Sequence, residues 1–157
     1  INFVVVLLFA LFPHVHFTWR VLLLPLNFIQ LYIIALGLAL LLSTMYVYFR
    51  DISHIWDVLQ QVLFYAMPII YPLSMVIGNN SLRGYGLLIA KIQLLNPIAQ
   101  VIQDIRHNLI APETQPTIWT MTSNPLLWAV PIVLSILILV LGVYVFKRNN
   151  RKFAEVM

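Results

Sequence analysis

Long apolar stretches alternate with short polar ones along this chain, and their lengths predict its elements. A bilayer core about 30 Å thick is crossed by about 20 apolar residues in a helix. Three stretches meet that length and predict complete spans at 21–49, 58–77 and 126–146. The first has no charged residue, and Pro25 falls early enough for a first helical turn. The second is also uncharged but is interrupted by Pro68 and Pro72. The third follows Asn124-Pro125, an N-cap residue with proline at the first helical position. The opening INFVVVLLFALF (1–12) has no initiator Met, no basic leader and no small-residue cleavage site. It reads as the end of a truncated span, so the chain is expected to be the C-terminal part of a larger protein.

The spans must be helical, because unpaired backbone groups in hydrocarbon are too costly. The expected fold class is therefore all-α, a polytopic integral membrane protein with one transmembrane domain over 1–157. Between the second and third complete spans lies a mixed excursion, 78–124, which includes Gly78, Asn79, Asn80, Gly84 and Gly86. A new helix start appears within it at Asn96-Pro97. From Pro97 to Ile110, the apolar residues Ile98, Val101, Ile102, Ile105 and Leu109 share one helical face. Gln100, Gln103, Asp104 and His107 share the other. This amphipathic helix is too polar to span, so it is expected to lie at an interface or to re-enter the membrane and return.

Composition strengthens the membrane reading. The 157 residues are 62% hydrophobic and only 9% charged, with a mean hydropathy of +0.94, whereas soluble domains are about a quarter charged. Cysteine is absent, which excludes disulfides, thiolate metal sites and cysteine nucleophiles. The net charge of +4 is scattered and leaves no nucleic-acid footprint.

The basic residues concentrate at KRNNRK (147–152), directly after the last span, which places the tail 147–157 in the cytoplasm. Two spans back, the turn in YFRDISHIWD (48–57) is then cytoplasmic too, and Arg50 agrees. The 78–124 excursion falls outside, although Arg83, Lys91 and Arg106 dilute the bias. Trp19 and Arg20 read as interfacial anchors at the end of the 13–20 link. In the cytoplasmic turn, Asp51 or Ser53 is placed to cap the next helix, and Asp57 lies in its first turns. Arg50 and Asp51 fit either a solvated turn or a surface that touches a cytoplasmic partner.

No catalytic, cofactor-binding or metal site is expected on this chain. It has no G-x-x-x-x-G-K-[ST] loop, so any nucleotide hydrolysis belongs to another polypeptide. His14 and His16 lack a third ligand nearby, and Asp51 and Asp57 fall on the opposite side from Asp104 and Glu113. The uncharged spans argue against proton coupling. Tyr46, Tyr48, Phe49, Phe64, Tyr65 and Tyr71 fit either a sugar path or an aromatic belt with helix packing. Tyr65 and Tyr71, which flank Pro68, are the candidate conduit lining.

The order YFRDI, PIIYPLSMV (68–76), LNPIAQVIQDIR (95–106) and GVYVFKRNNRKFAEVM (142–157) resembles ABC-2-type exporter permeases. The nearest branch exports O-antigen, capsule or teichoic-acid polymers on lipid carriers. The resemblance implies six spans, a homodimer, and a separate ATP-binding cassette subunit that carries ATP and Mg. It also implies a lipid-linked glycan as cargo, a bacterial cytoplasmic membrane as location, and short re-entrant helices between the last two spans. Arg50 and Asp51 would then form a second coupling turn, the main coupling helix lying upstream of residue 1. Alternative readings are an exporter of drugs or small lipids, an ion- or proton-coupled carrier, and a membrane-embedded enzyme acting on lipid-linked sugars through His14, His16 or Asp104.

Overall fold

The computed structural model describes residues 19–49, 51–79, 82, 84–109 and 115–149. The expected truncated span, His14, His16, Arg50, Arg83, Ala111, Glu113 and residues 150–157 lie outside the described residues. Among the described residues the chain is helical, without a strand. A 3-10 turn, Trp19–Leu23, leads into α1 (Leu24–Tyr48). There follow α2 (Ile52–Ala66), α3 (Leu73–Ile77), α4 (Gly86–Leu95), α5 (Pro97–Leu109), α6 (Ile118–Met121) and α7 (Pro125–Asn149).

Two helical stretches, Arg20–Tyr48 and Pro125–Asn149, are long and apolar enough to cross a membrane. Most of each is exposed, including Leu22, Leu26, Leu126 and Val140, each more than half accessible. Apolar surface on that scale suits lipid or other apolar helices, not water. Their starts follow local chemistry. Pro25 occupies the first turn of α1, where its missing N–H leaves no helical bond unmade. Asn124 caps α7, its Oδ1 accepting the Leu126 amide at 3.1 Å. Pro131 lies buried within α7, and Ser135 Oγ donates to its carbonyl at 2.7 Å.

These two helices lie side by side and run in the same direction. Gln30 bonds Ser135, Gly37 meets Gly142, and the Tyr48 hydroxyl donates to Asn149 Oδ1 at 3.2 Å. The contact positions ascend together, so the C-terminal ends of both helices lie at the same end of the molecule. A Cβ on Gly142 would stand 2.4 Å from the Gly37 carbonyl oxygen. One on Gly37 would stand 2.8 Å from the Ile138 and Leu139 backbone. The two backbones therefore touch, as small residues permit between membrane helices.

The expected span 58–77 is not a single helix. Met67, before Pro68, is extended at φ −90° and ψ 152°, because the proline ring crowds helical conformations of its predecessor. Helix α2 stops there after 15 residues, about 22 Å at 1.5 Å per residue, short of a bilayer core. The chain resumes as α3 only after Pro72. No residue of α2 is buried.

Near the N-terminal halves of α1 and α7 the short helices gather. Leu73, Ala90, Leu94 and Ile118 form an apolar core, with Ile77, Leu95, Met121 and Trp128 packed against it. Gly84 turns the chain at φ +86°, and Gly86 lets α4 approach the Val76 carbonyl, where a Cβ would stand only 2.4 Å away. Asn96 caps α5 as expected, its Oδ1 accepting the Ile98 amide at 3.0 Å.

The burial of α5 differs from a simple interfacial helix. Gln100, Gln103 and Asp104 of its polar face are buried, together with Val101 and Leu109. Ile98, Ile102 and Ile105 of its apolar face are only half-buried. In apolar surroundings the polar side chains gain most by turning inward to partners, because no water is there to pair with them.

Candidate functional site

The polar face of α5 meets α1 and α7 in a chain of hydrogen bonds. Gln30 Nε2 donates to Gln100 Oε1 at 2.9 Å and lies 3.2 Å from Ser135 Oγ. Gln100 Nε2 in turn donates to the Asp104 carboxylate. From α6, Trp119 Nε1 points at both oxygens of that carboxylate, at 3.1 and 3.2 Å. Burial pushes the Asp104 carboxyl up to about 6, against the opposing pull of the Trp119 and Gln100 donors.

Closer to the start of α1, Arg20 Nη1 lies 3.0 Å from His107 Nε2. A guanidinium only donates, so Nε2 is the acceptor and Nδ1 carries the hydrogen. That Nδ1–H donates to the Gln115 carbonyl at 2.7 Å. Gln100 and His107 meet α1 and the 3-10 turn before it in reverse order, at Gln30 and Arg20, so α5 runs antiparallel to α1. Gln30 lies ten residues, about 15 Å, along the helix from Arg20.

The break after α2 leaves carbonyls without helical partners, and those of Ala66, Met67, Pro68 and Ile69 find others. The Ala66 carbonyl accepts Gln93 Nε2 at 3.0 Å and the Tyr71 hydroxyl at 3.3 Å. The Met67 carbonyl accepts the Ile69 amide at 2.8 Å. Arg106 supplies the other two partners, its Nη1 donating to the Pro68 carbonyl at 2.6 Å and its Nη2 to the Ile69 carbonyl. Proline breaks at membrane depth are tolerated when neighbouring groups satisfy the freed backbone in this way.

Between α1 and α2 lies an open groove of about 730 Å³. Its α1 wall is apolar, with Ile34, Leu38 and Leu42. The α2 wall presents Trp56, Asp57, Gln60, Gln61 and Phe64. Met67 and Ile69 of the break also line it. Towards the start of α2 a smaller hollow of about 400 Å³ continues past Tyr46, Ser53 and Trp56. The side chains of Asp57, Gln60 and Gln61 make no hydrogen bond to another described residue. An apolar wall facing an unpaired polar one suits a ligand that has both characters, or a polar chain accompanied by water.

The residues singled out in the sequence are scattered over this framework. Asp51 holds the N-cap position of α2, but its side chain makes no capping bond, contrary to expectation, and neither does that of Ser53. Asp51 is exposed. Tyr65 is 68% exposed and stands edge-on to Phe64 at 5.7 Å. The Tyr71 hydroxyl is taken up at the break, accepting from Gln93 at 2.8 Å. Neither tyrosine lines the groove. Tyr46 borders the smaller hollow, and Tyr48 ties α1 to α7. Asp104, the polar centre of the enzyme alternative, is 6% exposed and already engaged. No group of three metal-ligating side chains occurs among the described residues. Gln30, Gln60, Gln61 and Arg106 were not singled out. Their signal is an amide within or beside an apolar stretch and an arginine on an amphipathic helix.

No protein-family model matches the chain, and no solved structure matches it. Among known proteins it is similar to the O-antigen export system permease protein RfbA of Myxococcus xanthus, at 34% identity over 116 residues. The match takes in 71% of this chain but 42% of that protein, so the chain spans less than half the length of the relative.

Proposed function

We propose that the chain is part of the membrane-spanning permease of an exporter that moves a lipid-linked polysaccharide across a bacterial cytoplasmic membrane. ATP is hydrolysed on a separate ATP-binding subunit, and the permease works as a homodimer. The likeness to an O-antigen export permease over 116 residues carries this reading. The groove between α1 and α2 supports it: the apolar wall suits a lipid carrier, and the amides with Trp56 and Phe64 suit sugar hydroxyls and ring faces.

In this reading the chain makes and breaks no covalent bond. It offers a path and alternates between packed conformations as the partner subunits close. Arg50 and Asp51 receive that motion at the cytoplasmic turn, and the hairpin of α4 and α5 enters the membrane from outside beside α1 and α7. The parallel course of α1 and α7 accords with both helices ending on the cytoplasmic side.

Topology is tested with single cysteines in the full-length protein, probed by an impermeant maleimide. Asn79→Cys and Ala111→Cys should react in intact cells, whereas His54→Cys and Asn149→Cys should react only after lysis. Reaction of His54→Cys from outside would overturn the orientation. For activity, the purified permease should hydrolyse no ATP by itself and should support polymer export with its partner. Nucleotide binding to the permease alone would contradict the division of labour.

A further inference from the structure

Helix α2 has no buried residue along its length, and it touches α1 only lightly. Its course is therefore set at its two ends, and at the far end the chain is not helical. The backbone from Met67 to Pro72 has free carbonyls instead of a continuous ladder. Arg106 spans two of them, Pro68 and Ile69. The planar guanidinium fork matches two successive acceptors, whereas a lysine ammonium is a single point of attachment.

Arg106 is carried on a firm base. Its helix, α5, is bonded to α1 through Gln100 and Gln30, and to α6 through Asp104 and Trp119. The break in turn lines the groove through Met67 and Ile69. Any shift of the Arg106 grip thus moves one end of the groove wall relative to the α1–α7 pair. The grip is also releasable. The two carbonyls are neutral, and Arg106 is half-buried, so releasing them strands no buried carboxylate.

We infer that Arg106 is a latch that sets the angle of α2 against α1, and so the width of the groove, by clipping the proline break to α5. It is a positioning residue. It acts through the backbone at Pro68 and Ile69 and touches nothing that passes through the groove.

The test uses the full-length protein in membranes, with any cysteines outside this stretch removed and with Leu42→Cys and Gln60→Cys on opposite groove walls. Bis-maleimides of graded length are applied, and cross-linking within one chain is read by mass spectrometry of the monomer band. With Arg106 present, a narrow range of lengths should react. Arg106→Met should broaden that range, raising the yield with the longest linker severalfold over its level with Arg106 present. Arg106→Lys should give an intermediate profile. A purely stabilising role for Arg106 would lower the amount of folded protein and leave the length profile unchanged, which would overturn the latch. If Arg106→Met is not recovered in the membrane, Arg106→Lys decides alone: a wild-type profile overturns the proposal and a broadened one supports it. Neither ATP, partner nor cargo is needed, so this result is independent of whether the chain exports a polysaccharide.

Discussion

Helix α2 carries more polar side chains than the apolar α1–α7 pair, and the two are held in opposite ways. The pair is joined along its length, with backbone contact at Gly37 and Gly142 and polar ties at Gln30–Ser135 and Tyr48–Asn149. Helix α2 is held at its ends, with its polar groups unpaired and facing a groove. Small residues let two backbones close on each other, and a bonded polar group between helices is satisfied there. Bulky aromatics and unpaired amides do the reverse and keep space open. One region behaves as a frame, the other as a movable wall.

The largest effect is expected in the frame. Gly142→Leu places a side chain where even a Cβ would meet the Gly37 carbonyl at 2.4 Å, so the helices must separate. Overpacking of this kind costs about 1–3 kcal/mol in ordinary cores, and here the obstacle is backbone that cannot repack. Thermal unfolding of the full-length protein in detergent should show a marked loss. Wild-type stability would mean that the two helices are not in contact.

A pH response is expected from α5, which packs against the frame. The folded Asp104 carboxyl keeps its proton up to about pH 6, whereas an unfolded one loses it near 3.8. Between these values the folded state binds more protons, so stability rises as pH falls from about 7 towards 4. Asp104→Asn should flatten that part of the profile, because its amide oxygen still accepts from Trp119 and nothing titrates. Persistence of the slope in Asp104→Asn would assign it to another group.

The amides provide the direct comparison. Gln30→Leu removes bonds to Gln100 and Ser135, and such interhelical bonds are worth about 0.6 kcal/mol on average. It should lower the unfolding temperature modestly. Gln60→Leu and Gln61→Leu remove no bond to a described residue and should leave that temperature unchanged while reducing polymer export. Equal stability losses at Gln30 and Gln60 would erase the distinction between frame and wall.

A small stability effect is also expected at Asp51. Asp51 is exposed and makes no side-chain cap bond, so Asp51→Ala should cost less than about 1 kcal/mol, the upper range for an exposed ionic contact. Export should nevertheless fall in Asp51→Ala and Arg50→Ala at matched protein level if the turn receives motion from the ATPase. Unchanged export in both would return the turn to a solvated connection.

Much of this fold is legible locally. The helix starts at Asn96-Pro97 and Asn124-Pro125 depend on the cap residue and its immediate neighbours, and both appear where the sequence places them. The lengths of the apolar stretches foretell α1 and α7, because a helix of given length either reaches across a bilayer or does not. Pro68 and Pro72 announce an interruption, since a proline ring disfavours a helical predecessor, although Pro131 is accommodated within α7.

Contacts between distant segments are decided only in three dimensions. Periodicity divides α5 into two faces but cannot say that the polar one turns inward, because that depends on Gln30, Ser135 and Trp119 arriving from other helices. Likewise, nothing near Arg106 in sequence shows that it serves carbonyls 37 and 38 positions away. The glycines that join α1 to α7 look unremarkable until the helices lie parallel, when the missing Cβ atoms become the contact. Lipid compatibility, helix starts and breaks are local properties written in the sequence; the partners of polar groups and the groove belong to the assembled fold.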